Sequence, residues 1–529
     1  MGALKPQAPA EPGDDRASAR PTGPSRRLAG LSIGVYGSGG APWHHLALLA
    51  VNGATVAVVR AEDVAAGRLA DLDALVVPGG GATAMAGLIA PLGEAGASAI
   101  RSWVERGGCY VGSCAGSVLP VALTGAADAA VPAARCLRLV DVPLANTGDE
   151  ILGGLSSPGV GRIRVRLDRA HPFSEGLPEV VELVHYNGPL FDVARAGRHG
   201  GAGSAGNDVT AFAWPLAATE AFTHAERFLE PSTSFGVDAA PGSTTGAREP
   251  VPTLERCIAS GAATGVFSTF GKGRVLLFGS HPEFGLEALG LGWADGETLL
   301  VRALEVTLRD QGKRERPLLL EREASWATCP ARPDESALAL AREAVDSLRR
   351  ASQRFEALAA EPPRGWLEPG YAASFHGTPA SAAWGLELSA ASEACAAAAA
   401  DLVDLADLTS LTEGASAGEV GALNAADARW LDDAPRSGQD FGAMGLLQIA
   451  SKLHSQLDEA ERGAARPPVR PAHAYDLFDS HPFHLAMGSY LSAAGMAAAA
   501  LLVVAVMAAG HGTVGAESRR LLWKGTTCS

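Results

Sequence analysis

With 529 residues, 47% of them hydrophobic and 19% charged, the chain can bury more than one core and should divide into at least two domains. Its 58 acidic and 43 basic side chains give a formal net charge of −15, which excludes a nucleic-acid-binding surface, because neutralising phosphates needs a clustered Lys/Arg excess. The 7 cysteines form no CxxC pair and their odd count leaves at least one free thiol, which suits a reducing compartment without a disulfide framework.

Residues 1–30 mix Pro, Ala, Arg and Asp without the apolar core of a signal peptide, and read as a disordered tail on a cytoplasmic protein. Short apolar runs rich in β-branched residues follow at 31–36 (LSIGVY), 54–60 (ATVAVVR) and 74–77 (ALVV), each closed by Gly, Pro or polar residues. They predict buried parallel strands. Helices are expected at 43–51 and at 94–106, the latter with Ala97, Ile100, Trp103 and Val104 at helical spacing before Gly107 and Gly108. Alternating strands and helices imply a doubly wound sheet. Further strands are expected at 109–112, 162–167, 180–186, 264–269 and 273–278, and the Gly/Ser/Pro-rich stretch at about 194–260 reads as an insertion over one edge.

After about residue 310 the pattern becomes Ala-rich and helical, with expected helices at 336–360, 380–411 and 441–462. Residues 311–529 therefore read as an all-α domain, a candidate docking surface for a protein partner. Residues 485–510 carry no charge and are long enough to cross a bilayer. However, Arg519, Arg520 and Lys524 lie on the side that would have to be translocated, so a buried bundle helix is favoured over membrane association.

Three elements carry chemistry. Cys114 sits in Gly112-Ser113-Cys114-Ala115-Gly116, a G-x-C-x-G elbow between a strand and a helix, where a sharp turn lifts the thiol above the sheet and the helix N-terminus favours the thiolate. Alone, this motif fits a buried structural thiol equally well. A late strand ends at His281-Pro282-Glu283, where an imidazole and a carboxylate two residues apart can face the same way, so Glu283 orients His281 and His281 activates Cys114. Pro78-Gly79-Gly80-Gly81 follows the third strand, and an N–H from Gly80 or Gly81 with that of Ala115 can stabilise an oxyanion. Each alone also fits an ordinary turn.

The elbow, the PGGG turn and the terminal HPE resemble class I glutamine amidotransferase-like domains. With YGSGGAPW, HYNGP at 185–189 and FGKGRVLLFGSHPEF added, the resemblance is closest to the amidotransferase-like domain at the N-terminus of some biotin-protein ligases. It covers roughly half of the chain and implies a Cys-His-Glu triad at Cys114, His281 and Glu283 in a flavodoxin-like three-layer α/β/α domain over 31–310. It does not imply biotin ligation, because the chain has no Gly-Arg-Gly-Arg loop, and Ala115-Gly116-Ser117 departs from the usual G-x-C-x-G-x-Q pattern and so from glutamine as substrate. The implied activity is cysteine-dependent hydrolysis or transfer of a small-molecule amide or related acyl group. A cysteine peptidase and a non-catalytic scaffold remain alternatives.

Tyr186 and Asn187 match the family's Tyr-Asn-Gly and either line the cleft or close a strand by a hydrogen-bonded turn. His44 and His45, at a helix start, read as solvent-facing or capping. His481 and His484, and Asp401, Asp404 and Asp407, have regular spacing without a completing ligand set, the aspartates reading as a solvated helix flank, so no metal is expected. Neither a phosphate-binding G-x-x-x-x-G-K-[ST] nor a dinucleotide G-x-G-x-x-G is present, and no cofactor is expected.

Overall fold

The computed structural model describes residues 27–39, 42–79, 84–121, 136–146, 158–197, 208–219, 222–224, 253–284, 295–310, 335–360, 380–406, 446–464, and 493, 496, 497, 500, 501 and 504. The chain is a mixed α/β protein built on one ten-stranded sheet. Its strands are β1 (Ser32–Tyr36), β2 (Thr55–Val59), β3 (Ala74–Val77), β4 (Cys109–Ser113), β5 (Gly159–Leu167), β6 (Val180–Tyr186), β7 (Val209–Ala218), β8 (Thr223–His224), β9 (Gly265–Phe270) and β10 (Gly273–Phe278). They lie in the order β2-β1-β3-β4-β10-β9-β7-β5-β6, with β8 beside β5. From β2 to β10 neighbours run parallel; from β10 to β6 they run antiparallel.

Among the described residues, the α-helices that accompany the sheet are α1 (Trp43–Val51), α2 (Ala61–Ala65), α3 (Ala84–Glu105), α4 (Ala115–Val118), α5 (Thr253–Ala259), α6 (Asp295–Asp310), α7 (Glu335–Ala360), α8 (Ala380–Ala406) and α9 (Leu446–Ala464). Inside α3, Gly93 takes φ 58° and ψ −171°, a conformation that ends the first helical segment and starts the second. The expected helix at 94–106 corresponds to that second segment.

Strand periodicity sorts the core. Ile33, Val35, Ala74, Val76, Cys109, Val111, Leu276 and Phe278 join one apolar cluster, together with Leu46, Leu48 and Leu49 of α1 and Leu299, Leu300 and Leu304 of α6. The alternate residues Tyr36, Leu75, Val77, Tyr110, Val275 and Leu277 join a second cluster with Leu88, Ile100 and Val104 of α3. Side chains two apart share a face and neighbours face opposite ways, which is why these central strands read as continuous apolar runs.

Residues 209–218, which the sequence assigns to an edge insertion, form β7, a ten-residue strand inside the sheet between β9 and β5. The pairing of β7 with β5 slips where Val165 opposes Pro215, and the pairing with β9 slips between Ala211 and Ala213. A proline cannot donate to a ladder, and a bulge beside it removes the need for that donor.

Helices α7, α8 and α9 pack on one another through apolar stripes, with Ser352 Oγ 2.8 Å from Ser392 Oγ and Arg354 donating to Asp458 Oδ1 at 2.7 Å and Glu461 Oε1 at 2.9 Å. Their buried residues are continuous with the cluster that includes α1 and α6. Asp401, expected on a solvated flank, is buried, because α8 is covered on more than one side. Of the segment 485–510, the six described residues are helical and buried, spaced so that they fall on one face. Among the described residues no helix is long and apolar enough to cross a membrane.

Candidate active site

Sheet order assembles the site. In β3 and β4, Val77 is opposite Gly112; in β4 and β10, Ser113 is opposite Phe278. The segments that leave these three adjacent parallel strands begin with Pro78-Gly79, with Cys114 and with Gly279-Ser280-His281. They therefore emerge side by side at the carboxyl end of the sheet, where open α/β sheets bind ligands.

Cys114 adopts φ 49° and ψ −116°, outside the regions open to an L-residue without strain. The turn is pinned on both sides: Cys114 N donates to Phe278 O at 2.8 Å, and Ser117 N and Oγ donate to Cys114 O at 2.9 and 2.6 Å. Gly116 is required here, because a Cβ would sit 2.0 Å from Val77 O. Tyr110 Oη, buried beneath, donates to Gly116 O at 2.6 Å. The helix behind the elbow spans only Ala115–Val118, so the macrodipole expected from the sequence is that of a single turn. Ala115, at its start, is buried, and the first N–H groups of a helix have no partner within it.

His281 and Glu283 are brought together as the sequence expects. His281 Nδ1 lies 2.8 Å from Glu283 Oε1, and both residues are buried. The ring stacks on Phe284 with centroids 4.5 Å apart, and His281 N donates to Val184 O at 2.7 Å. His281 also hydrogen-bonds Cys114; with Nδ1 engaged by Glu283, this contact belongs to Nε2. Burial opposes charge on His281, but the Glu283 carboxylate and the Cys114 sulfur outweigh it and raise the imidazole to about 10. Burial likewise opposes charge on Glu283, while His45 and His281 lower it to about 2. The base is thus a cation held by an anion, beside a thiol that is partly exposed.

The backbone of Gly79 runs against this pair. A Cβ there would lie 2.7 Å from His281 Cε1 and 3.5 Å from Cys114 Cβ. Gly80 and Gly81, the expected oxyanion donors, lie outside the described residues, as do His481 and His484.

Tyr186 and Asn187 divide. The Cys114 thiol donates to Tyr186 O at 3.5 Å, and the Tyr186 ring stands edge-on to His281 with centroids 6.4 Å apart. Burial, with Cys114 adding to it, pushes the phenol far above its ordinary range, so it stays protonated. Asn187 closes the strand: its N donates to Gly159 O at 2.8 Å and its Oδ1 accepts from Gly159 N at 3.0 Å. Its φ of 49° is one that Asn tolerates better than most residues.

Two groups join the site without a signal in the sequence. His45, expected at the surface, is fully buried, with Nε2 3.6 Å from Glu283 Oε2 and 3.2 Å from Ser113 Oγ. Behind His281, His185 Nδ1 lies 3.1 Å from Ser280 Oγ, which is 2.9 Å from Thr264 Oγ1. Among the described residues no group of three His, Cys, Asp or Glu side chains is arranged to hold a metal ion.

No family model matches the chain, and no curated protein matches it. Among solved structures, it is similar to a candidate GMP synthase glutamine-amidotransferase-type component from Thermoplasma acidophilum, at 13% identity over 54% of this chain and 98% of that one, with a TM-score of 0.29. It is also similar to a cytoplasmic protein from Salmonella typhimurium, at 12% identity over 52% of this chain and 98% of that one, again with a TM-score of 0.29. A likeness at this level transfers no activity.

Proposed function

We propose that the chain is a class I glutamine amidotransferase-like cysteine hydrolase or transferase acting on an amide or related acyl bond of a small molecule. Support comes foremost from one observation: the partly exposed Cys114 on its strained elbow stands beside a buried imidazole whose other nitrogen is 2.8 Å from a buried carboxylate. In this reading residues 31–310 form a flavodoxin-like three-layer domain, which the 2-1-3-4 order of the first four strands supports, and 311–529 form a helical domain. The resemblance to the N-terminal domain of some biotin-protein ligases belongs to the same proposal.

The chemistry follows from the geometry. The Cys114 sulfur adds to the acyl carbon while its proton resides on His281 Nε2, and the carbonyl π electrons move onto oxygen. The Ala115 N–H, with a backbone N–H of the Gly79–Gly81 turn, receives that oxyanion. Collapse of the intermediate breaks the C–N bond, His281 gives its proton to the leaving amine, and a thioester remains on Cys114. Water or another acceptor then adds to the thioester, His281 takes its proton, and the acid or transferred product leaves as the thiol is restored. Glu283 keeps Nδ1 protonated and Nε2 aimed at sulfur throughout.

The test is site-resolved labelling with a small amide-mimicking electrophile, read by mass spectrometry over all 7 cysteines in the wild type and in His281→Ala. Faster labelling of Cys114 than of the other cysteines, weakened in the variant, supports the reading. Labelling of Cys114 no faster than the rest sinks it and leaves a binding protein with an amidotransferase-like fold.

A further inference from the structure

Glu283 offers two oxygens, and the triad uses one. Oε1 faces His281 Nδ1; Oε2 is buried and has no hydrogen-bond partner among the described residues. A buried carboxylate oxygen without a donor is costly, and more so in a carboxylate that stays ionised beside its imidazole. His45 Nε2 lies 3.6 Å from Oε2, longer than a hydrogen bond and within reach of one after a small adjustment. The same Nε2 is 3.2 Å from the hydroxyl of Ser113, the residue before the nucleophile.

We propose, resting on the amide-hydrolase reading, that His45 is a positioning residue of this centre: its Nε2–H is shared between Ser113 Oγ and Glu283 Oε2 and fixes the carboxylate in its orientation towards His281. A lone pair on Nε2 would face the carboxylate and repel it, so the proton belongs on this nitrogen. Burial keeps the ring neutral, acting against the Glu283 charge, while the His281 charge works in the same direction as burial. Nδ1, the other nitrogen, has no partner among the described residues, so the ring is anchored through Nε2, by Ser113 and Glu283. Helix α1, which carries His45, thereby reaches both the nucleophile's strand and the base's carboxylate. His45 touches neither the thiol nor the substrate position, so it acts through Glu283.

The titratable groups around the centre are Cys114, His281, Glu283 and His45, with His185 behind His281 and Tyr186 beside Cys114. The experiment follows Cys114 alkylation by iodoacetate against pH, site-resolved by mass spectrometry, with iodoacetamide as the neutral reference. The anionic reagent is favoured only while His281 is protonated, so the ratio of the two rates falls as His281 loses its proton. In the wild type that fall is expected near pH 10. In His45→Leu it is expected to move towards neutrality by about one pH unit, the lower end of the shifts that a lost partner of a buried ion confers.

His45→Asn, whose amide ends where Nδ1 was, should behave like His45→Leu and keeps the test open if the leucine variant fails to fold. His45→Gln, whose amide nitrogen reaches the Nε2 position, should restore the wild-type fall. A merely structural role would slow both reagents alike without moving the ratio's midpoint. An unmoved midpoint in folded His45→Leu or His45→Asn overturns the proposal while leaving the triad in place. A wild type in which the ratio never falls with pH overturns both this proposal and the reading beneath it.

Discussion

Substituting Gly79 by Ala tests whether the site depends on the backbone approach that the structure shows. The added Cβ would stand 2.7 Å from His281 Cε1, against 3.4 Å for the near edge of ordinary contact, so the ring must retreat by about 0.7 Å. A free side chain would swing aside, but this ring is stacked on Phe284 at 4.5 Å and held at Nδ1 by Glu283 at 2.8 Å. A retreat of that size directed away from Glu283 would stretch the Nδ1 contact beyond the range of a useful hydrogen bond. Displacements approaching 1 Å cost about 100-fold in rate when they misplace a reacting group. Gly79→Ala should therefore lower the second-order rate of Cys114 labelling by about 10- to 100-fold, measured at pH 7 by site-resolved mass spectrometry. Thermal unfolding of the same sample separates a displaced ring from a collapsed fold. A variant that folds normally and labels at the wild-type rate would refute the claim that Gly79 sets the distance between base and nucleophile.

Other outcomes follow from the same geometry. Because Cys114 holds φ 49° and ψ −116°, Cys114→Gly should unfold at a higher temperature than Cys114→Ala, by the few degrees that relief of about 1 kcal/mol of strain confers, and both should lack thioester chemistry. The raised His281 pKa contributes stability that is complete below pH 6.5 and is lost as pH rises to about 10. Urea unfolding between these limits should therefore show a steeper loss in the wild type than in Glu283→Gln, and equal slopes would refute the coupling. His185 runs the other way: burial, then the His281 charge, lowers it to about 3, so the unfolded chain takes up a proton below pH 6.5 that the fold refuses, and stability falls from pH 6.5 towards 3. His185→Asn, which keeps a polar atom at the Nδ1 position facing Ser280, should flatten that acid slope even though the smaller side chain lowers stability throughout.

The central parallel strands were legible because both their faces are covered, so that LSIGVY, ALVV and GRVLLF are apolar at nearly every position. The triad was legible because its members sit in short motifs directly after such strands. What the sequence concealed are features fixed across space. The strand at 209–218 carries Pro215 and lies in a Gly-rich neighbourhood, and only the bulged pairing with Val165 makes it a strand. His44 and His45 are adjacent on a helix that is apolar in most other positions, so periodicity could not tell which one turns inward; the position of Glu283 beneath α1 decides it. Gly79 was part of a motif whose later glycines looked better placed, and its contact with His281 depends on the β3-β4-β10 adjacency.

That adjacency explains why the chemistry survives a long excursion of the chain. Cys114 and His281 are 167 positions apart in the sequence numbering, yet Phe278 O accepts the hydrogen bond from Cys114 N at 2.8 Å, so the strand that delivers the base also anchors the turn that carries the nucleophile. Any slip of β10 along β4 would break this anchor and carry His281 away from the thiol in the same motion. Leu276 and Phe278 on one face, and Val275 and Leu277 on the other, oppose such a slip, because a one-residue shift would exchange the faces of all four buried side chains. Positional accuracy at the site is therefore supplied by apolar burial of β10, while the polar contacts of His281, Glu283 and His45 set the direction in which the imidazole points.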